Sequence, residues 1–431
     1  MTDAAVLLWG TRVGAVSWDD RRSLGVFQYD PAFLPSGIQI APLTMPLSGA
    51  PYEFPALRRE SFHGLPGLLA DSLPDRFGNR LIDEWCTRTG RDPASFNPVQ
   101  RLCYIGSRGM GALEFEPTVA GAPTSERVLE VAELVELASA VLGERRALAG
   151  SFGGSDDHAA VEDILRVGTS AGGARAKAVL AYDEATGEFR SGQVPTGQGF
   201  TYWIIKFDGV AGVGDRDVGE PQGYGKIEYA YHLMARAAGI QMAPCRLHHE
   251  GGRSHFMTRR FDRTDSGQKV HMMTLAGLAH FDFNDAAAHS YEQASQAMRR
   301  LDLGVDQLEQ LVLRATFNAA ARNQDDHVKN IAFLMDRAGQ WRLSPAYDVA
   351  YAYNPTGPWT RRHQMLINGK ADGFRRADLI ALGAHAGLKR PRAVALIDQV
   401  AAALSRWPEF ASEAGVPLER AVQIESTFRR P

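Results

Sequence analysis

The N-terminal part of the chain alternates short apolar runs with glycine and aspartate. The segments VLLWG, VGAVSW and LGVFQYD, between residues 6 and 30, have the pattern of short strands joined by turns. A partly polar helical stretch follows at 64–85, and the glycine-punctuated segment RLCYIGSRGMGALEFEP at 101–117 predicts a pair of strands. Residues 1–118 are therefore predicted to form a small α+β unit.

The middle of the chain mixes the two periodicities. RVLEVAELVELASAVL (127–142) and KIEYAYHLMARAAG (226–239) have helical spacing, and the second ends at Gly239. KAVLAY (177–182), TYWIIKFDG (201–209) and SHFMTRRFDR (254–263) have the apolar runs of strands. A mixed α/β lobe is expected here, after a connector of Pro, Gly and Ser composition at 119–126.

Beyond about residue 264 helical patterns dominate. In LEQLVLRATFNAAAR (308–322) the apolar positions 308, 311, 312, 315 and 319 form one face, and RAVALIDQVAAALSRW (392–407) predicts another amphipathic helix. Between them, IAFLM and QWRL predict two strands of a hairpin joined by DRAG. The C-terminal lobe is therefore expected to be mostly helical.

Composition narrows the class of protein. The chain has 431 residues, 45% of them hydrophobic, and a formal net charge of −3, so charge gives no reason to expect nucleic-acid binding by the whole chain. Its three cysteines are scattered, which suits a reducing compartment and argues against structural zinc. The start lacks the pattern of a signal peptide, and no apolar window is long enough for a membrane span. A cytoplasmic protein with no membrane association is expected.

Candidate chemistry is concentrated in NQDDHVKN (323–330), directly before the predicted hairpin. Asp325 and Asn330 have the D-x-x-x-x-N spacing of a kinase catalytic loop, and a further aspartate, Asp348, follows the second strand. Because a hairpin returns its second strand to roughly 5 Å from its first, Asn330 and Asp348 are expected to share a pocket. Asp326 misses the kinase spacing by one residue, so Asp325 is the predicted base.

A plainer interpretation is that this Asp-Asp-His only caps a helix end. SDDHAA at 155–160 is a second copy, without the later Asn or Asp, and is interpreted as such a cap. The order of upstream features favours phosphoryl transfer for the first copy: a glycine-rich loop (168–173), then Lys206 in an apolar strand, then Glu228 at a helix start. Singly, these could be a plain turn, a lysine that reaches water, and a residue favoured by the helix dipole.

The segments SAGGARAK, NQDDHVKN, LSPAYDV and RRFDR resemble the HipA-type serine/threonine kinases, the toxin halves of bacterial toxin–antitoxin pairs. The resemblance covers nearly the whole chain. It implies an α+β, protein-kinase-like two-lobed fold with an added small N-terminal α+β unit (1–118), a small lobe (119–258) and a mostly helical large lobe (259–431).

The resemblance also implies a role for individual residues. Asp325 would be the catalytic base, Asn330 and Asp348 would hold Mg²⁺, and Lys206 would contact the ATP phosphates. Ser170, with Thr169 as the alternative, would be the autophosphorylated serine that silences the enzyme. Further ATP-binding residues would be the phosphate loop, the hinge and five residues of the catalytic loop and metal site: Gly172, Gly173, Ala174, Arg175, Ala176, Lys177, Arg259, Arg260, Phe261, His327, Lys329, Asn330, Tyr347 and Asp348.

Two positions depart from the ordinary kinase pattern. Asn323-Gln324 stands where ordinary kinases have His-Arg, a position at which the family itself departs from them, and the hinge carries two adjacent arginines.

The function implied is that of an ATP- and Mg²⁺-dependent protein serine/threonine kinase acting on a cytoplasmic protein. Family substrates include aminoacyl-tRNA synthetases, so growth arrest is the implied outcome. The implied partner is a HipB-like helix-turn-helix antitoxin, through which DNA would be reached only indirectly. A small-molecule phosphotransferase, a kinase-like binding protein and, less well supported, a metal hydrolase are the alternatives.

Overall fold

The computed structural model describes residues 2–119, 129–142, 176–193, 196–197, 199–210 and 223–430. By their contacts the residues divide into two compact units. The first unit takes its residues from 1–41, 45–215 and 248–272, and the second from 42–44, 216–247 and 273–431. The predicted three-part division at residues 118 and 258 stays a prediction.

The described part of the chain contains strands throughout both units. In chain order they are β1 (Thr2–Leu8), β2 (Thr11–Asp19), β3 (Leu24–Tyr29), β4 (Leu113–Glu116), β5 (Lys177–Asp183), β6 (Phe189–Ser191), β7 (Phe200–Lys206), β8 (Cys245–Glu250), β9 (Arg253–Arg259), β10 (His271–Thr274), β11 (His289–Ser290), β12 (Ala332–Met335), β13 (Trp341–Leu343) and β14 (Met365–Leu366).

The described helices lie mostly in the second half of the chain. They are α1 (Arg59–Phe62), α2 (Gly67–Ala70), α3 (Arg76–Arg88), α4 (Pro98–Ile105), α5 (Val131–Leu142), α6 (Tyr224–Ala237), α7 (Leu275–Ala279), α8 (Tyr291–Arg300), α9 (Val305–Ala320), α10 (Arg376–His385), α11 (Arg390–Leu404), α12 (Trp407–Glu413) and α13 (Leu418–Glu425), with short 3₁₀ turns at Leu34–Ser36, Pro93–Ser95 and Val328–Asn330.

The N-terminal strands form an antiparallel sheet in the order β3-β2-β1-β4. Alternate residues of β1, including Val6 and Leu8, are buried, so the alternation in the sequence is that of a sheet with one face on the core. The predicted N-terminal strands are confirmed. The predicted helical stretch at 64–85 is helical in two pieces, α2 and α3, and the second begins after Pro74 with Asp75 as its N-cap.

The prediction of two strands over 101–117 is wrong in its first half. Residues 98–105 form helix α4, and only β4 is a strand. The helix is favoured because Asn97 and Gln100 form a capping box and Pro98 occupies the first helical position, where its missing N–H costs nothing. The apolar residues of RLCYIG belong to a buried helix face, whose short length makes it resemble a strand.

A five-stranded sheet in the order β6-β5-β7-β9-β8 forms the second half of the first unit. Strand β5 is buried along nearly its whole length, and it pairs antiparallel with β7 so that Lys177 stands opposite Lys206. Residues opposite each other in an antiparallel pair share a face of the sheet. The end of this sheet therefore carries two lysines on one face.

The second unit is built around α9, which packs against α10 and α11. Tyr231 on α6 is fully buried among the rings of Phe317, Trp407 and Phe428, and its hydroxyl donates to the carbonyl of Ala321 at 2.5 Å. The predicted helices 308–322 and 392–407 are confirmed within a turn at each end. In the described residues no helix has the length and apolar character that crossing a membrane requires.

A buried charge cluster lies in the first unit, just after β9. The carboxylate of Asp262 has no exposed surface and accepts from the backbone N–H of Gly111 at 2.7 Å. The same carboxylate accepts from Arg260 at 2.9 and 2.7 Å and from Arg263 at 2.7 Å. Burial raises the pKa of Asp262, but the charges of Arg260 and Arg263 outweigh it and hold the pKa well below its usual range. The cluster ties the loop before β4 to the segment after β9.

Substitution of Asp262 by alanine is expected to lower the free energy of unfolding by about 3–5 kcal/mol, because two buried guanidinium groups lose their counter-charge. The matched control is Asp265→Ala, whose carboxylate is 92% exposed and pairs with Arg259 at the surface. That change is expected to cost under about 1 kcal/mol. Denaturant unfolding of both variants measures the difference, and equal losses would contradict the assignment.

The contribution of Asp262 is also expected to depend on pH. Because its folded pKa is depressed, the stabilisation is present above the ordinary aspartate pKa and is lost as the pH falls through the folded value. The gap between wild type and Asp262→Ala should therefore narrow below about pH 4. Unfolding free energies measured at several pH values would show this, and a constant gap would contradict it.

Candidate active site

The loop that carries the candidate catalytic residues follows the end of α9. Arg322 has a φ of 58°, in the left-handed region, which ends the helix and redirects the chain. The chain is then held by Gln324 N–H donating to the carbonyl of Ala352 at 3.1 Å. After the loop, β12 and β13 form the predicted hairpin, with Leu334 opposite Arg342.

The two adjacent aspartates occupy opposite environments. The side chain of Asp325 is 51% exposed, and its carboxylate lies 4.0 Å from Nε2 of His327. The side chain of Asp326 is 1% exposed. One carboxylate thus faces solvent while the next enters the core. Asp325 alone of the two is accessible to a substrate hydroxyl.

The carboxylate of Asp326 accepts hydrogen bonds from residues that are distant in sequence. It accepts from the hydroxyl of Tyr291 at 2.9 Å, from Nδ1 of His363 at 2.9 Å and from the backbone N–H of Gln364 at 2.8 Å. Asn318 in turn donates to the Tyr291 hydroxyl at 2.9 Å. Burial, and then the charge of Asp326, raise the pKa of Tyr291 well above its ordinary value, so the phenol stays a donor. Asp326 is thus a structural anchor.

Asn330 and Asp348 share one pocket, as the hairpin predicts. The side-chain amide of Asn330 donates to the carbonyl of Asp325 at 2.8 Å, which leaves its oxygen as the atom able to face a cation. Asp348 has a φ of 51°, a conformation that a non-glycine residue adopts at some cost and that is frequent at functional sites. Charged and polar residues lining this pocket include Arg314, Asn323, Asp326, Asn330, Tyr347 and Asp348.

The oxygen donors of this pocket suit Mg²⁺ bound with a substrate. Among the residues that the structure describes, no three His, Cys, Asp or Glu side chains come together as a metal cage. Mg²⁺ does not need one, because it keeps several waters and is usually held by one or two protein oxygens together with phosphate oxygens. A carboxylate at Asp348 and an amide oxygen at Asn330 fit that requirement.

Arg314 lines the pocket and contacts the segment that leads to Asp348. It is buried, and Nη2 donates to the carbonyl of Ser344 at 2.6 Å, at the start of the segment that leads to Asp348. Burial lowers the pKa of Arg314 to about 10, so the guanidinium remains charged at neutral pH. The hydroxyl of Tyr347 donates to the carbonyl of Lys329 and so ties the same segment to the catalytic loop.

Lys329 lies beside an aromatic ring of the second unit. Its ammonium is 4.6 Å from the ring centroid of Phe283, and the ring of His327 is 6.4 Å from the same ring. Phe283 therefore lies near both Lys329 and His327, on the same loop that carries Asp325 and Asn330.

In the first unit, Lys206 ends β7 with its ammonium 5.7 Å from the ring centroid of Phe256. Lys177, opposite it, is 2% exposed and forms an ion pair with Asp75 at 3.2 Å. The buried Ala176 accepts from the backbone N–H of Phe207 at 3.0 Å. The charge of Lys177 is therefore balanced by Asp75, and contact of Lys206 with the ATP phosphates stays a prediction.

The side chains of the predicted hinge residues lie in different environments. Arg259 pairs with the exposed Asp265 at 2.8 Å, and the guanidinium of Arg260 is buried against Asp262. The backbone N–H of Arg260 donates to the carbonyl of Tyr202 at 2.8 Å, and Phe261 is partly exposed. Contact of these three residues with adenine stays a prediction.

Several predicted residues lie outside the described residues. They are the glycine-rich loop and its neighbours, with the modification site: Gly172, Gly173, Ala174, Arg175, Ser170 and Thr169.

Sequence reasoning missed the residues that hold the loop in place. Tyr291 and His363 are 35 and 37 residues from Asp326 in sequence. Arg314 lies on a helix that reads as apolar. An arginine inside the apolar run LVLRATF was the one available signal, because a buried arginine needs a specific partner.

Comparisons with known proteins bear on the family and the fold of the chain. A family model described as the HipA-like C-terminal domain matches residues 169–407, and one described as the HipA N-terminal domain matches residues 4–116. Among solved structures, the toxin–antitoxin system of Shewanella oneidensis MR-1, a complex of HipA, HipB and operator DNA, is similar in fold. Its TM-score is 0.68 at 19% identity, over 98% of this chain and 94% of that chain.

A second structure, the proinflammatory kinase CtkA of Helicobacter pylori, gives a TM-score of 0.32 at 11% identity, over 53% of this chain and 88% of that chain. The comparison with curated proteins gave no significant match.

The different environments of the two aspartates predict different effects on stability. Asp326→Ala is expected to lower the free energy of unfolding by about 3 kcal/mol, because it leaves buried donors without an acceptor. Asp325→Ala is expected to change it by no more than about 0.5 kcal/mol, since that side chain is half exposed. Denaturant unfolding of the two variants is the measurement, and similar losses would disprove the division of roles.

Proposed function

This chain belongs to the HipA family, and from that premise we propose that it is an ATP- and Mg²⁺-dependent protein serine/threonine kinase. The observation that carries the proposal is the pocket in which Asn330 and Asp348 lie together beside an accessible Asp325. The fold similarity to a HipA structure supports it, and the proposed acceptor is a cytoplasmic protein.

In the proposed reaction the acceptor hydroxyl oxygen attacks the γ-phosphorus of ATP, the bond to the bridging oxygen breaks, and ADP leaves. Asp325 accepts the hydroxyl proton, because its carboxylate is exposed and held by a loop that closes on itself. Asn330 and Asp348 would hold Mg²⁺, which when bound neutralises phosphate charge. Lys206 would bind the phosphates as a point charge.

Partners and regulation form part of the same proposal. A HipB-like helix-turn-helix antitoxin is the proposed partner, because the similar Shewanella structure is a complex with HipB and operator DNA. DNA would then be reached through the antitoxin. Autophosphorylation at Ser170 would silence the kinase, since a phosphate adds about two negative charges close to where the phosphates of ATP must bind. An aminoacyl-tRNA synthetase is the proposed kind of target, with growth arrest as the outcome.

The proposal is tested by incubating the purified, dephosphorylated protein with Mg²⁺ and ATP and locating added phosphate by mass spectrometry. Phosphate is expected on residues 169–170 in the wild type. Asp325→Ala is expected to slow its appearance by about 10²–10⁴-fold, the usual contribution of a general base. The control is Asp398→Ala, which removes a carboxylate of similar exposure, 59%, far from the loop in sequence.

Three outcomes separate the alternatives. Phosphate in the wild type that Asp325→Ala does not reduce would refute the assigned base. No phosphate on protein, together with Mg²⁺-dependent ADP formation when sugars or drugs are added, would identify a small-molecule phosphotransferase. Binding of ATP without any transfer, together with capture of an antitoxin, would identify a kinase-like binding protein.

A further inference from the structure

The segment 359–364, here called the anchored segment, is fixed to the catalytic loop at one end. His363 and Gln364 supply two of the three donors to Asp326, the residue directly after Asp325. The ring of His363 has no exposed surface, and because a carboxylate only accepts, Nδ1 of His363 must carry the proton. Any movement of this end would leave a buried carboxylate short of donors.

The same segment is fixed on its other sides as well. The carbonyl of Gln364 accepts from the backbone N–H of Ala287 at 2.7 Å, and the backbone N–H of His363 donates to the carbonyl of Ala371 at 3.0 Å. The side-chain amide of Gln364 donates to the carbonyl of Trp359, which closes the segment on itself. Hydrogen bonds thus hold the anchored segment at Trp359 and at His363 and Gln364, on either side of Arg361 and Arg362.

The exposed side chains of the anchored segment are basic and aromatic. Thr360 is 4% exposed and His363 is buried, whereas Trp359 is 49% exposed and Arg361 and Arg362 are both exposed. Trp359 is one of few large hydrophobic side chains that are exposed among the described residues. Tryptophan and arginine are the residues most often found at binding hot spots, and a fixed backbone lowers the entropy lost on binding.

The surface lies within peptide reach of the catalytic aspartate. Adding one Cα step from Asp325 to Asp326, its side chain, the hydrogen bond to Gln364 and two residues of backbone places the Cα of Arg362 at most roughly 17 Å from that of Asp325. About five residues of extended peptide cover that distance. A substrate chain could therefore contact both.

We propose that Trp359, Arg361 and Arg362 form a docking surface for an acidic stretch of the protein acceptor, three to five residues from the phosphorylated hydroxyl (roughly, from extended-chain length). The inference rests on the proposed kinase function. Arginine pairs bind carboxylates through two parallel hydrogen bonds, which favours aspartate and glutamate side chains. Asp326 is then a positioning residue, because it holds the docking surface beside the base.

The test uses two synthetic peptides of equal length, each with one serine and a block of four residues, glutamate in one and glutamine in the other. Fluorescence anisotropy at low salt is expected to show tighter binding of the glutamate peptide to the wild type. The double variant Arg361→Glu/Arg362→Glu is expected to weaken that binding at least about tenfold and to raise the KM for the peptide. The matched control is Lys389→Glu/Arg390→Glu, an exposed basic pair elsewhere in the second unit.

Each outcome decides the inference. Equal affinity for the two peptides, or no loss in the Arg361/Arg362 variant, overturns it. A larger loss of oligonucleotide binding than of glutamate-peptide binding would identify a nucleic-acid surface instead. If charge-dependent binding is found but the wild type transfers no phosphate to any acceptor, the proposed kinase function fails while the docking surface stands.

The anchoring of the segment is tested by limited digestion with trypsin, which can cleave after Arg361 and Arg362. This test does not require the substrate to be known. His363→Ala removes a donor to Asp326 and is expected to speed cleavage there by about tenfold relative to wild type. His363→Asn is expected to restore slow cleavage, because its amide N–H₂ can donate from nearly the same place as Nδ1. Cleavage at the exposed Arg300 serves as the reference for global unfolding.

Slow cleavage after Arg361 in both His363 variants would show that Asp326 does not order the segment. Equal acceleration at Arg300 and at Arg361 in His363→Ala would assign His363 to overall stability and would remove the positioning role.

Discussion

A carboxylate with almost no exposed surface, that of Asp326, accepts hydrogen bonds from a helix tyrosine, a histidine ring and a backbone amide. A buried charge without partners costs several kcal/mol, so these donors cannot leave one at a time without a large penalty. The backbone around Asp326 is consequently fixed in three directions. Asp325 precedes Asp326 by one residue, so the backbone that carries the exposed carboxylate of Asp325 is held in place as well.

Two adjacent residues of one type thus perform opposite physical tasks. The proposed base, Asp325, must be accessible to a substrate, whereas an anchor must be inaccessible to water, because exposure would weaken its hydrogen bonds. The chain satisfies both requirements with adjacent residues, since the side chain of Asp325 is 51% exposed and that of Asp326 is 1% exposed. Asn330 completes the arrangement, since its amide holds the carbonyl of Asp325 and fixes the loop from the other side.

Local patterns predicted much of the second unit. Apolar spacing located α9, a turn signal located the β12–β13 hairpin, and hairpin geometry alone brought Asn330 and Asp348 into one pocket. Predictions failed where length left the period ambiguous, as in helix α4, whose capping box at Asn97 and Gln100 was the decisive signal. The anchoring of Asp326 could not be predicted, because Tyr291 and His363 lie more than 30 residues away on either side and no local pattern links them.

The two units carry different kinds of polar group. The second unit offers oxygen atoms at Asn330 and Asp348, which suit a hard cation. The first has two lysines opposite each other at the end of a sheet, and the ion pair with Asp75 balances the charge of Lys177. A lysine whose charge is already balanced in the core adds rigidity and little net field, so Lys177 stabilises the end of the sheet as one half of an ion pair.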